Sequence, residues 1–440
     1  MKRRTLLKAI SSLGVIPALS YSGLSRGIVD GGHEGPLLLQ IHAEGGWDVT
    51  SYCDPKVNQP GERPITTWSE TLDPVRVGGV EFAPFANNEW FVEKYHQQML
   101  VINGVDLQTN SHTTGILHNW SGRNAAGYPA LTALFAAHYA PTAPMSYVNF
   151  GGFGSTENLI SYTKLQGDPA GIAEIVEPNL QGRLIDNPDY EDGHPIYFRQ
   201  PAELSLIEAH RQARLQRLQA RGQLAPREAA NLRAFSEATR ARGPLKDFAD
   251  YLPKAEEIFA RDETTHNNLK AQVQVASSAF AAGVACAADV QMGGFDTHDD
   301  HDALHKPLVQ LLNESIDLIW TLAETAGYAD RLTVVVGSDF SRTPEYNSQQ
   351  GKDHWPIGSV MVMQKAPSWG SRVVGLTDER QNAIAIDPVS LQADPSRGAI
   401  IYPKDVHEQL RQLLGLADSP LAARFPFNSG SGFRFFGDVS

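Results

Sequence analysis

Short apolar runs that stop at glycine recur along the chain. Leu37-Leu38-Leu39-Gln40-Ile41 leads into Gly45-Gly46-Trp47-Asp48, and Ala288-Asp289-Val290-Gln291-Met292 leads into Gly293-Gly294-Phe295-Asp296-Thr297-His298. Val334-Val335-Val336 leads into Gly337-Ser338-Asp339-Phe340-Ser341-Arg342-Thr343-Pro344, with Asp353-His354-Trp355 close behind. A continuous apolar run followed by turn residues reads as a strand buried on both faces of a parallel sheet. Residues 99–105, 145–150, 358–363 and 372–375 read as further strands. Helical spacing predicts helices over 130–137, 256–287, 301–326 and 406–416, and one starting at Asn110-Ser111-His112. In 301–326, Leu304, Leu308, Leu311, Leu312, Ile316 and Ile319 fall near one face. Strand and helix in alternation predict the α/β class, a doubly wound, mostly parallel sheet covered on both faces.

Two stretches break this rhythm. Residues 53–90, rich in Pro, Gly and polar residues, read as surface loop with short strands, and 165–200, rich in Asp, Pro and Gly, read as irregular. From about 200 to 250 Ala, Arg, Gln, Glu and Leu dominate, with Leu204, Ile207, Leu215 and Leu218 at roughly helical spacing. That predicts a helical insertion. Its Arg211, Arg214, Arg217 and Arg221 read first as a solvated face, not as a polyanion site.

Composition narrows the possibilities. The 440 residues are 42% hydrophobic and 20% charged, with a formal net charge of −13. No long basic run follows the N-terminus, so no nucleic-acid partner is expected. The N-terminus itself carries Lys2-Arg3-Arg4-Thr5-Leu6-Leu7-Lys8 and then a mildly apolar stretch, 9–19. This is a twin-arginine pattern. It assigns residues 1–27 as a signal segment, with the export machinery as a partner and a periplasmic or extracellular destination. The apolar part is too short for a stable membrane span, which needs about 20 residues. The two cysteines, Cys53 and Cys286, permit a disulfide outside the cytoplasm, although Cys286 reads better as a buried apolar residue.

The strand exits bring in chemistry. Asp48, Asp296, His298, Asp339 and His354 form a mixture of oxygen and nitrogen donors that suits a divalent metal such as Zn, Mn, Mg or Ca. Two such ions about 3.5–4 Å apart could clamp a phosphoryl or sulfuryl group, and one could activate a hydroxyl nucleophile. Singly, each acid could as well cap a helix or hold a loop. Ser111 is the candidate nucleophile, because a helix start offers unpaired amides and a positive dipole end; it could equally be a cap. His112 is a candidate ligand or proton shuttle. Arg342 and Arg123 are candidates to grip oxyanions. His118, His301 and His305 are weaker metal candidates.

These motifs together resemble an exported bacterial family known as domain of unknown function 1501, within the alkaline-phosphatase-like superfamily. The resemblance rests on Gly45-Gly46-Trp47-Asp48, Ser111-His112, Gly293 to His298, Ser338 to Thr343 and Asp353-His354-Trp355, and runs from about residue 36 to the C-terminus. It implies one alkaline-phosphatase-like α/β domain over 28–440 and a two-metal site. In that site Asp48 matches the first ligand, Ser111 the nucleophile, Asp296 with His298 the next pair, and Asp339 and His354 the last ligands. Phe340 stands where the superfamily places a histidine. Cys53-Asp54-Pro55-Lys56-Val57 lacks the arginine of a sulfatase nucleophile motif. The resemblance implies a metal-dependent hydrolase of phosphate or sulfate esters acting on a small anionic substrate. The rival expectation is a non-catalytic cell-envelope protein that keeps the fold.

Overall fold

The computed structural model describes residues 24, 27–29, 32–165, 198–222, 224–254 and 257–437. Most of the N-terminal signal segment and of the irregular stretch before the insertion lie outside the described residues.

Eight strands form one sheet: β1 (Leu37–Ala43), β4 (Met99–Asp106), β5 (Tyr147–Asn149), β6 (Thr163–Lys164), β7 (Ala287–Met292), β8 (Leu332–Ser338), β11 (Ile357–Gln364) and β12 (Arg372–Val374). Their order is β12-β4-β11-β8-β1-β7-β5-β6. Every pairing is parallel except those of β11, which runs against both β4 and β8. One strand thus interrupts a parallel sheet, and the protein is α/β. β1 and β8 are buried along their whole length. Hence they read as apolar runs and not as alternations. The remaining pairs are small: β2 (Val75–Val77) with β3 (Val80–Phe82), β9 (Ser341–Arg342) with β10 (His354–Trp355), and β13 (Leu376–Thr377) with β14 (Ala383–Ile384).

Helices α1 (Asn88–Tyr95), α2 (His112–Ser121), α3 (Leu131–Tyr139), α6 (Leu269–Ala282), α7 (His301–Thr325) and α8 (Pro403–Leu413) surround the sheet. The apolar stripe of α7 is buried from Leu308 to Leu322, but Leu304 is 47% exposed and leaves it. The expected helix over 256–287 begins only at Leu269. Asp262 Oδ1 accepts from the backbone N–H groups of Thr264 and Thr265 and from the Thr265 hydroxyl. Such local side-chain bonds compete with helix formation. The insertion is two helices, α4 (Pro201–Gln219) and α5 (Pro226–Phe248). No residue of α4 is buried, so its leucines do not build a core stripe. Cys53 and Cys286 are both buried and free. No described helix is long and apolar enough to cross a membrane.

Because β1, β4, β7 and β8 point the same way, the segments that leave them gather at one edge of the sheet. Gly45 and Gly46, just past β1, take positive φ of 113° and 83°. A Cβ on Gly45 would lie 2.4 Å from the backbone nitrogen of Asp296, so only glycine lets the two loops meet.

Candidate metal centre

Four histidine and aspartate side chains converge at that edge. His112 opens α2, Asp296 and His298 follow β7, and His354 begins β10. Asp296 Oδ1 lies 3.0 Å from His298 Nε2 and 3.1 Å from His354 Nε2, while Oδ2 lies 3.5 Å from His112 Nε2. The Nε2 atoms of His298 and His354 are 3.0 Å apart. His112, Asp296 and His354 each offer a ligand atom within 4.8 Å of the others.

The other nitrogen of each ring is also held. His112 Nδ1 bonds Asp339 Oδ2. His298 Nδ1 meets Asp353 Oδ1 at 2.9 Å, and His354 Nδ1 meets the Asn110 carbonyl at 2.8 Å. A carbonyl and two carboxylates can only accept, so these partners assign the proton to Nδ1 in each ring. Three Nε2 lone pairs then face one carboxylate. Lone pairs packed this closely repel unless a positive charge, a proton or a metal ion, lies among them. A histidine whose outer nitrogen is anchored to an oxygen while the inner one is aimed at a shared point is the arrangement of a metal ligand. Three imidazoles and a carboxylate are also a donor set that a divalent transition metal accepts. The residues present fit such an ion.

Supporting groups fix the cluster. Asp339 Oδ1 accepts from the N–H groups of Gly45 and Gly46 at 3.0 and 2.7 Å, which leaves Oδ2 for His112. Phe340, buried, lies 4.7 Å from the His112 ring and 4.5 Å from the His354 ring, centroid to centroid. Asp296 is acidic despite partial burial, which pushes its carboxyl up: the Arg342 guanidinium at 2.6 Å more than offsets this. Asp353 is likewise held below the usual carboxylate range by its bond to His298.

Three residues expected to act directly take other parts: Asp339, expected as a ligand, has both oxygens engaged and holds His112 instead. Arg342 was expected to grip an oxyanion, but its side chain is fully buried. Nε donates to the Gly46 carbonyl, Nη1 to that of Lys352, and Nη2 to Gly45 and Asp296. It braces Asp296 and the glycine turn and presents nothing to solvent. Asp48 was expected as a ligand, but it lies in a sealed pocket with Lys352, Thr50 and His301. Burial pushes the Asp48 carboxyl up; Lys352 and His301 outweigh this and hold it well below the usual range. His301 and His305 stack at 4.5 Å behind it, both buried. His118 is buried with Nδ1 on the Leu107 carbonyl, and Arg123 lies over the Tyr128 ring.

Ser111 is exposed at the N-cap of α2, and its side chain makes no capping bond. Its two neighbours, Asn110 and His112, both touch the cluster. A cleft of about 750 Å³ is lined by Glu44 and Gly293, from the segments that leave β1 and β7, and by Ile116, Lys164 and Arg261 among others. Burial, and after it the Asp339 charge, raises the Glu44 carboxyl. The pattern of apolar runs did not single out Lys352, Asp353 or Glu44. Asp353 was legible only as the acid next to His354.

Residues 37–394 match a family described as protein of unknown function (DUF1501). No curated protein matches the sequence. Among solved structures, one from work on glycosaminoglycan metabolism by Bacteroides thetaiotaomicron is 10% identical, covers 92% of this chain and 78% of its own, and has a TM-score of 0.40. A 2-O GAG sulfatase is 8% identical over 88% and 72% of the two chains at a TM-score of 0.34. The phosphonate monoester hydrolase of Agrobacterium radiobacter is 13% identical over 86% and 74% at 0.32. Likenesses this distant carry no argument about activity.

Proposed function

As the chain belongs to the DUF1501 family, whose description assigns no chemistry, we propose from the site itself that it is a metal-dependent hydrolase of phosphate or sulfate esters. The observation that carries this is the set of three histidines anchored through Nδ1 and aimed through Nε2 at Asp296. His112, Asp296, His298 and His354 would hold the ion. When bound, a divalent ion supplies a Lewis acid for an ester oxyanion and lowers the pKa of a nearby hydroxyl.

Ser111 is the proposed nucleophile, one residue before His112 and at a helix start whose first amides have no helical partner. Those amides favour negative charge at Ser111 and on the transferred group. Arg342 and Asp339 act indirectly: the first fixes Asp296, the second His112. The alcohol portion of the ester would lie in the cleft lined by Glu44 and Gly293, where Lys164 and Arg261 favour an anionic group.

Ser111→Ala is expected to abolish hydrolysis of 4-nitrophenyl phosphate and 4-nitrophenyl sulfate while metal content and melting temperature stay unchanged. Turnover equal to that of the wild type would remove Ser111 from the mechanism. Export is proposed on the Arg3-Arg4 pair and the apolar stretch behind it. An Arg3→Lys, Arg4→Lys double variant should then accumulate in the cytoplasm, and undiminished export would contradict this.

A further inference from the structure

The strand exits deliver three acids, Asp48, Asp296 and Asp339, enough for two ions, yet the structure leaves only one of them open. We propose that Lys352 is a resident cation that takes the place of a second divalent ion, so that the chain holds one exchangeable ion, at the histidine cluster. The proposal rests on the metal reading above and concerns how many ions the site takes and why.

Asp48 has no side-chain exposure. Its Oδ1 accepts from the Thr50 amide at 2.9 Å and the Thr50 hydroxyl at 2.7 Å. Its Oδ2 accepts from Lys352 Nζ at 2.8 Å and from His301 Nε2 at 3.0 Å. An ionised carboxylate has about four lone-pair positions, so the four donors use them all. Lys352 Nζ also meets Thr50 Oγ1 at 3.0 Å, and its side chain too has no exposure. A buried carboxylate must be paired. Here the partner is a charge covalently tethered to the chain, which cannot dissociate as an ion can.

The other acids agree. Asp339 has one oxygen on the Gly45 and Gly46 amides and the Ser338 hydroxyl, and the other on His112. Phe340 packs on the rings of both His112 and His354 and offers no donor atom. Arg342, sealed between the Gly45-Gly46 turn and Asp296, adds a second fixed positive charge. A further divalent ion at Asp48 would have to displace an ammonium and sit beside a guanidinium. Of the three acids, Asp296, 46% exposed at its side chain, is the one left available for an exchangeable ion.

The test is the metal content per chain. The full chain is loaded with excess Zn²⁺ or Mn²⁺, desalted and analysed by mass spectrometry. The wild type should retain one ion and His354→Ala almost none. The Asp48→Asn, Lys352→Met double variant removes the buried charge pair together and should still retain one, because Asp48 is not a ligand. Lys352→Ala opens space beside an unpaired Asp48, so it should take up a second ion, and added metal should raise its melting temperature by more than it raises that of the wild type. Two ions in the wild type, loss of the ion from the double variant, or a Lys352→Ala protein with one ion and no more stabilisation by metal than the wild type would each overturn the proposal. A wild type with no ion would instead strike the metal centre itself, and this proposal with it.

Discussion

At the scale of single residues, the site depends on groups that hold other groups. Each histidine of the cluster has its Nδ1 tied to an oxygen, and the three oxygens come from unrelated parts of the chain: Asn110, Asp339 and Asp353. Untying one leaves a ring free to turn. Loss of such an outer partner typically costs about 10–100-fold in metal affinity. Asp353→Ala is therefore expected to weaken metal binding by about that factor, with little change in folding stability, since the Asp353 side chain is 57% exposed. Titration with a competing chelator would show it; unaltered affinity would mean that His298 needs no anchor. Asp353 was visible in the sequence as the neighbour of His354, but its role was not, because the partner it holds lies 55 residues earlier in the chain.

At the scale of elements, the decisive packing is α2 against the end of β8. Gly115, in the first turns of α2, lies so close to the Asp339 carbonyl that an added Cβ would sit 2.1 Å from it. The contact is with backbone, which cannot swing aside as a flexible side chain can. Gly115→Ala should thus push the helix off the strand exit, moving His112 away from Asp339. A cost of about 1–3 kcal/mol is expected for overpacking of this kind. It would appear as a lower urea midpoint together with weaker metal binding; a stable variant with full metal affinity would show that α2 has slack. β8 and α7 were legible from their apolar patterns, and the start of α2 from the capping residues Asn110 and Ser111. Element limits were less so, as at Leu269, the start of α6, where an aspartate turn takes the residues that composition assigned to a helix.

At the scale of the whole molecule, several histidines sit inside the protein without solvent. Burial pushes His407 down to about 3, outweighing its bond to the Asn119 carbonyl, and His42 down to about 4. Both values lie below the unfolded value near 6.5. In the window between, the unfolded chain binds more protons than the folded one, so stability is complete above about pH 6.5 and is lost as pH falls toward 3. Each such group contributes at most about 1.4 kcal/mol per pH unit there. Denaturant unfolding of the chelator-treated protein from pH 7 to 4 should show this decline, and His407→Gln should make it shallower. An unchanged slope would mean that other groups dominate acid unfolding.

The sequence by itself determined the strands that carry the chemistry and the acids at their exits. Burial of a strand on both faces demands an unbroken apolar run, and the chain must turn at glycine where it leaves the sheet. It also delivered His112, Asp296, His298 and His354 as candidates, since their residue types and places after strands are local facts. Tertiary structure alone decided which acids stay open. Asp48 and Asp296 occupy equivalent places in the pattern, each after a Gly-Gly turn. One is closed by Lys352, 304 residues further along, and the other remains at the surface. A neighbour supplied from so far away leaves no periodic trace in the chain, and it is the neighbour that determines whether a carboxylate can bind an ion.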